Sequence, residues 1–230
     1  FGIELREGSG IGLKPISEFA SKRLVRKAIR YALRNRRKKI TLVHKGNIMK
    51  FTEGAFREWG YEVAREFREK LISEDAFTSQ GFSEGKILIG DRLADNMLQQ
   101  MLTRTDEYDV LAMPNLNGDY LADAASGQVG GLGTAPSGNI GDGVMEFEAT
   151  HGSAPKYAGL DVANPMAITL AAKLMLGYMG WNEAAKVIHE GIAKAIKQKT
   201  VTYDLERQMS GAKRVGTSEF ADIVINNIKY

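Results

Sequence analysis

Through its first 127 residues the chain alternates amphipathic helical stretches with short β-branched runs, and that alternation constrains the fold more than any other feature. A helical period near 3.6 spans residues 16–36, then ITLVH (40–44) reads as a strand, and EGAFREWGYEVAREFREKL (53–71) returns to helix with Phe56, Trp59, Val63, Phe67 and Leu71 on one stripe. KILIG (86–90) reads as strand, 91–103 as helix with Leu93, Met97 and Met101 inward, YDVLAMP (108–114) as a buried strand, and the segment after Pro114 as helix. Residues 73–85 suit either a loop or an edge hairpin. Strands separated by helices imply an α/β domain with a largely parallel sheet.

The composition then changes. GQVGGLGTAPSGNIGDG (127–143) holds seven glycines in 17 residues and reads as a hinge between two lobes. Helices dominate beyond it, over about 164–179, 182–198 and 218–228, with Asn164-Pro165 as one N-terminal signal and Ser218 as the cap of the last helix. The expected division is 1–127 and 128–230, the second lobe being part of a larger domain whose sheet partners lie elsewhere. The opening FGIELREGSG has no basic region leading into an apolar one and no initiator Met, so the expectation is a chain that begins partway through a longer polypeptide.

Several function classes recede on composition. No apolar run approaches 18 residues, so no membrane span is expected. With no cysteine, disulfides and thiol catalysis are excluded, which fits a cytoplasmic protein. Ten Lys or Arg residues fall between Lys22 and Lys39 and invite a nucleic-acid reading. However, Phe19, Ala20, Leu24, Ala28, Ile29, Ala32 and Leu33 follow helical spacing, which puts the basic residues on the wet face of an amphipathic helix, with Tyr31 the single aromatic among them and no row of stacking platforms. No nucleic-acid partner is expected.

Three groups of residues carry chemistry. Asp119 and Asp123, in NLNGDYLAD (115–123), lie one helical turn apart on one face, where like charges repel. Such a pair suits a hard divalent cation that keeps open positions for substrate oxygens; two solvated acids on an exposed helix are the plain alternative. Lys45 directly follows the strand ITLVH, where α/β enzymes place reactive groups, with Gly46 beside it. Its neighbour His44 points to the other face of the strand. The stretch EATHGSAPKYAGLDVAN (148–164) offers a loop opened by His151 and Gly152 and stiffened by Pro155, suited to wrapping an adenine nucleotide. Lys156 and Tyr157, with Tyr203 and Arg207 from TVTYDLER (200–207), would suit a phosphate monoester: two cations and two hydroxyl donors. Taken singly, each is an ordinary surface residue, and Arg207 suits an ion pair with Asp204. Neither GxGxxG nor GxxxxGK[ST] occurs, so the chain has no ordinary Rossmann turn and no P-loop.

Five blocks, TLVHKGNIMKFTEG (41–54), LADNMLQQ (93–100), NLNGDYLAD, HGSAPKYAG (151–159) and TVTYDLER, closely resemble the isocitrate/isopropylmalate dehydrogenase family in order and spacing. KFTEG after Lys45 favours the NADP-dependent isocitrate dehydrogenases of bacterial and archaeal type over 3-isopropylmalate or homoisocitrate dehydrogenases. The resemblance implies that family's two-lobed α/β fold without its N-terminal part, where the substrate-binding serine, asparagine and arginines and a catalytic tyrosine lie. It implies that Asp119 and Asp123 bind Mg²⁺ or Mn²⁺, joined by Asp95 of a neighbouring subunit in a homodimer, and that Lys45 is the catalytic lysine, also delivered across the interface. It further implies that His151, Gly152, Ser153, Ala154, Pro155 and Asn164 hold the adenosine part of NADP, with Lys156, Tyr157, Tyr203 and Arg207 on its 2′-phosphate and Glu148 near the nicotinamide ribose. Ser153 stands where threonine is usual; both carry a hydroxyl.

The implied reaction is the oxidative decarboxylation of isocitrate to 2-oxoglutarate and CO₂, as in the tricarboxylic acid cycle and at the branch to the glyoxylate bypass. An aspartate of the cluster, or Lys45 through a relay, takes the hydroxyl proton as hydride leaves for the nicotinamide, and Lys45 helps return a proton to carbon. The 230 residues alone are expected to be inactive, because the substrate arginines are missing. A non-catalytic regulatory subunit is the competing reading, and such subunits tend to lose the site residues that remain here.

Overall fold

A computed structural model describes residues 2, 4–81 and 85–228. The chain divides into two compact units, Phe1–Leu121 and Ala122–Tyr230. The helix Asn115–Gln128 runs through that division, ahead of the glycine-rich stretch.

In chain order the first unit holds α1 (Glu18–Arg34), β1 (Lys39–His44), α2 (Ala55–Glu66), β2 (Leu71–Ser73), α3 (Glu74–Gln80), β3 (Ile87–Leu93), α4 (Ala94–Thr103), β4 (Val110–Ala112) and the start of α5 (Asn115–Gln128). The four strands form one parallel sheet in the order β2-β3-β1-β4. β1 is central and buried from Ile40 to His44, as a strand covered on both faces must be. α2 lies so close to it that a side chain at Gly60 would meet Leu42 at 2.6 Å. Ser17 caps α1 by accepting from the Ala20 amide at 3.2 Å.

Several boundaries move from where periodicity places them. The buried stripe of α1 is Ser21, Val25, Ile29 and Ala32, whereas Phe19, Ala20 and Leu24 are exposed. The apolar residues of its first turns therefore lie off the core-facing stripe. Leu71, expected on a helix, begins β2, because α2 ends at Glu66 and the chain turns through residues 67–70. Leu93 likewise closes β3 and does not open α4. The segment 73–85 resolves into the end of β2 and α3, whose N-cap Ser73 accepts from the Ala76 amide at 3.2 Å; residues 82–84 of that segment lie outside the described residues. The basic run serves the helix pair: Lys22 binds Glu18 and Glu62, and Arg26 binds Glu66, each at 2.5 Å.

The second unit continues with β5 (Pro136–Ile140), β6 (Met145–Ala149), α6 (Met166–Tyr178), α7 (Asn182–Lys197), β7 (Thr200–Val201), α8 (Tyr203–Glu206), β8 (Lys213–Arg214) and α9 (Thr217–Asn227). Much of the glycine-rich stretch is ordered structure, since β5 pairs antiparallel with β6 as a hairpin that lies along α6. Phe147 meets Tyr178 of α6 at 6.0 Å between ring centroids. α7 packs between α6 and α9 over Met166, Ile192, Ala195, Val215, Phe220 and Val224. Ser218 does not cap α9. The N-cap is Gly216, and the Asp161 carboxylate accepts both the Ser218 amide at 2.9 Å and its hydroxyl at 2.8 Å, placing an anion where the helix dipole favours one. No helix among the described residues is long and apolar enough to cross a membrane.

The mis-phased stripe of α1 gives a direct stability contrast. Phe56 is 1% exposed and Phe19 72% exposed, so Phe56→Ala is expected to cost about 3–5 kcal/mol and Phe19→Ala under ~0.5 kcal/mol. Denaturant unfolding of the two variants checks this.

Candidate functional site

Lys45 sits where the central strand ends, and two carboxylates fix the backbone around it. Glu53, with its side chain fully buried, comes from a π-helical turn over Lys50–Gly54 and faces three donors. Its carboxylate accepts the Lys45 amide at 2.5 Å and the Asn117 side-chain amide at 2.8 Å, and it forms an ion pair with Lys14. Burial disfavours its charge, but the bonds from Lys14, Asn117 and Lys45 outweigh this and hold its pKa below the ordinary 4.5. The segment before α1, the Lys45 turn and the start of α5 thus meet on one anion.

The second carboxylate acts through His44. The Gly46 amide donates to His44 Nδ1 at 3.0 Å, which assigns the ring hydrogen to Nε2, and Nε2 lies 3.0 Å from Asp91 Oδ2. Asp91 also accepts from Tyr61 at 2.6 Å and Arg57 at 3.0 Å. Burial opposes the Asp91 charge, yet His44, Tyr61 and Arg57 prevail and hold it well below the carboxylate range. Burial, then the bond to Asp91, pushes the Tyr61 phenol up. Gly46 leaves no room for a larger residue, because a Cβ there would lie 2.7 Å from Gly54 Cα and 2.9 Å from His44 Nδ1. Lys45 is therefore held by backbone on both sides while its ammonium reaches Asp95 at 2.8 Å. That contact keeps the exposed Asp95 carboxyl below its ordinary range.

Asp119 and Asp123 lie one turn apart on α5, both exposed, and neither has an ion-pair partner among the described residues. Two unpaired neighbouring carboxylates form a hard, anionic oxygen set, the donor chemistry that Mg²⁺ or Mn²⁺ takes. Among the described residues no three His, Asp or Glu side chains converge as a metal-ligand set; Asp95 is engaged by Lys45 instead.

In the second unit the loop residues His151, Gly152 and Ser153 are exposed, and His151 Nδ1 approaches the Gly152 carbonyl at 2.8 Å. Ala154 takes the left-handed conformation at φ 46°, and Pro155–Tyr157 form one 3₁₀ turn. Ala154 carries a conformational cost that clusters at ligand-binding loops. The loop's far end is pinned. Asn164 Oδ1 accepts the Met166 amide and Nδ2 donates to Asp204, each at 2.9 Å, and Thr202 donates to Asp204 at 2.6 Å. Gly133 allows this junction, since a Cβ there would lie 2.8 Å from Asp204. Asp204 is spent on these bonds, and the alternative of an ion pair between it and Arg207 is not seen among the described residues.

The same junction carries Tyr203 to Tyr157. Their rings stand 5.8 Å apart and the Tyr203 hydroxyl donates to that of Tyr157 at 3.2 Å. Lys156 Nζ lies 4.8 Å from the Tyr157 ring centroid. The Tyr203 bond, then Lys156, lowers the Tyr157 phenol pKa, while donating to Tyr157 raises that of Tyr203. Arg207 is exposed and close enough to act electrostatically on both rings. Lys156, Tyr157, Tyr203 and Arg207 are thus one cluster, and Glu148, on β6, accepts from Asn139 at 2.8 Å. Sequence reasoning did not assign a site role to Glu53, Asp91 or Arg214; Arg214 lies 5.7 Å over the Tyr203 ring. The only local signal for Glu53 is an acid in a glycine-flanked turn eight residues after the lysine.

The chain matches the family model described as isocitrate/isopropylmalate dehydrogenase over residues 2–224. It is 60% identical over 233 residues to isocitrate dehydrogenase (NADP) of Archaeoglobus fulgidus, an alignment covering 100% of this chain and 56% of that protein. To isocitrate dehydrogenase (NADP) of Haloferax volcanii it is 58% identical over 224 residues, covering 96% and 54%. The crystal structure of isocitrate dehydrogenase from Methylococcus capsulatus superposes with a TM-score of 0.84 at 35% identity, covering 99% of this chain and 62% of that one. The chain spans about half the length of the curated relatives it matches.

Glu53 gives a pH prediction. Its folded pKa is depressed, so its contribution to stability is fully present above about pH 4.5 and is lost as pH falls through the lower folded value. Glu53→Gln should therefore flatten the acid limb of a melting-temperature profile below about pH 4.5, and Glu53→Ala should cost about 3–5 kcal/mol by leaving Lys14 and Asn117 unmatched. An acid limb of unchanged slope in Glu53→Gln would count against the clamp.

Proposed function

The chain belongs to the isocitrate/isopropylmalate dehydrogenase family, and we propose that it supplies the reactive lysine, the metal carboxylates and the NADP 2′-phosphate subsite of an NADP-dependent isocitrate dehydrogenase. The observation that carries this reading is the Lys156–Tyr157–Tyr203–Arg207 cluster. Two exposed cations around a hydroxyl pair match a dianionic monoester, which NADP has on its adenosine ribose and NAD lacks. His151–Pro155 and Asn164 would hold the adenosine, and Glu148 would stand near the nicotinamide ribose. Residues 1–127 carry the metal and reactive residues, and 128–230 belong to the cofactor-binding domain.

Asp119 and Asp123 would hold Mg²⁺ or Mn²⁺, with Asp95 of a second copy completing the set in a homodimer with shared sites. Bound there, the cation would make the isocitrate hydroxyl easier to deprotonate. Lys45 Nζ is the mobile proton group of this chain, its backbone fixed by the Glu53 and His44 contacts and its ammonium parked on Asp95 until substrate arrives. From that position it would deliver a proton to carbon after CO₂ leaves. The activity belongs to the complete polypeptide, and a cytoplasmic setting agrees with the substrate and cofactor.

With isocitrate and Mg²⁺, the complete polypeptide is expected to reduce NADP in preference to NAD, read as absorbance of the reduced nicotinamide. Lys45→Ala should lower kcat by about 10²–10⁴. Lys156→Asp with Tyr157→Ile should move the preference toward NAD. Unchanged NADP selectivity in that double variant would sink the phosphate assignment.

A further inference from the structure

We propose that Arg214 is a third cation of the 2′-phosphate subsite and a determinant of NADP over NAD, an inference that rests on the reading of Tyr157 and Tyr203 given above. β7 and β8 pair in parallel with Val201 opposite Arg214, which brings Arg214 beside the start of α8. Its guanidinium carbon lies 5.7 Å from the centroid of the Tyr203 ring, and the hydroxyl of that ring donates to Tyr157. A guanidinium laid on an aromatic face keeps its N–H edge free for a planar or tetrahedral oxyanion, a geometry an ammonium does not offer.

The charges around it are unbalanced. Lys213, next in the chain, is matched by Glu219 at 3.2 Å, whereas Arg214 is exposed and has no carboxylate partner among the described residues. Asp204, the acid adjoining Tyr203, is buried and bound to Thr202 and Asn164. Lys156, Arg207 and Arg214 therefore gather around one phenol pair with no anion among them, and a phosphate dianion relieves that repulsion. NAD presents a neutral 2′-hydroxyl to the same place and gains little from a third cation.

The test uses the complete polypeptide with adenosine 2′-monophosphate and adenosine 5′-monophosphate as competing probes, alongside KM for NADP and NAD. Arg214→Leu should weaken the 2′-monophosphate and raise KM for NADP about tenfold, the scale of one charge-assisted contact, with the 5′-monophosphate and KM for NAD unchanged. Arg214→Lys should recover part of the loss, and the melting temperature of both variants should match the parent. If Lys156→Ala weakens the 2′-monophosphate and Arg214→Leu does not, Arg214 is outside the subsite and the subsite stands. An equal loss for both probes in Arg214→Leu also overturns the inference. If neither Lys156→Ala nor Arg214→Leu discriminates between the probes, the subsite reading falls and takes the Arg214 inference with it.

Discussion

The buried Glu53 carboxylate is the interaction on which the geometry of the first unit depends. A charge with no access to water is tolerated only where donors replace the lost hydration, and Glu53 draws them from three segments distant in sequence. Lys14 lies before α1, Lys45 follows β1 and Asn117 lies on α5. None can shift without leaving part of that anion unmatched. The cost of burying the charge is thereby turned into a positional constraint on the Lys45 turn and on the first turn of α5. His44 adds a second constraint from below, since its Nδ1 is fixed by Gly46 and its Nε2 by Asp91.

The second unit handles charge in the opposite way. Its structural anions, Asp161 and Asp204, are saturated by backbone and side-chain donors at the far end of the 151–164 loop. Its cations are left in water around the two phenols, where holding them unpaired costs little because solvent screens their repulsion. The proposed 2′-phosphate would find there a set of donors that folding has already gathered. With Asp204 saturated by Asn164 and Thr202, the open bases give the cluster its sign.

The element order of the first unit is legible in the sequence because its strands are β-branched and its helices amphipathic. What periodicity misjudges is phase and termination: Phe19 and Leu24 lie off the buried stripe, and Leu71 and Leu93 belong to strands. A leucine fits either element, and only pairing with β3 or β1 decides between them. The β5–β6 hairpin is masked by glycine, whose signal is loss of structure even where cross-strand bonds restore it. Of the candidate site residues, Lys45, Lys156, Tyr157, Tyr203 and Arg207 are legible in the sequence because they fall inside compact local blocks. Glu53, Asp91 and Arg214 are not, because each acquires its contacts from partners that the fold, and not the local sequence, brings within reach.

The pinned far end of the 151–164 loop has an entropic consequence. Asn164 is locked to Asp204 and Met166, and Asp161 to the first turn of α9, so the chain entering and leaving residues 158–164 is already ordered before any ligand arrives. Ala154, held left-handed, removes further freedom from the segment just before Lys156. Immobilising a free backbone residue costs about 1–2 kcal/mol, and that charge has here been met during folding. Under the proposed reading, a cofactor would meet a frame already set at residues 158–164, with the exposed side chains among residues 151–157 left to settle.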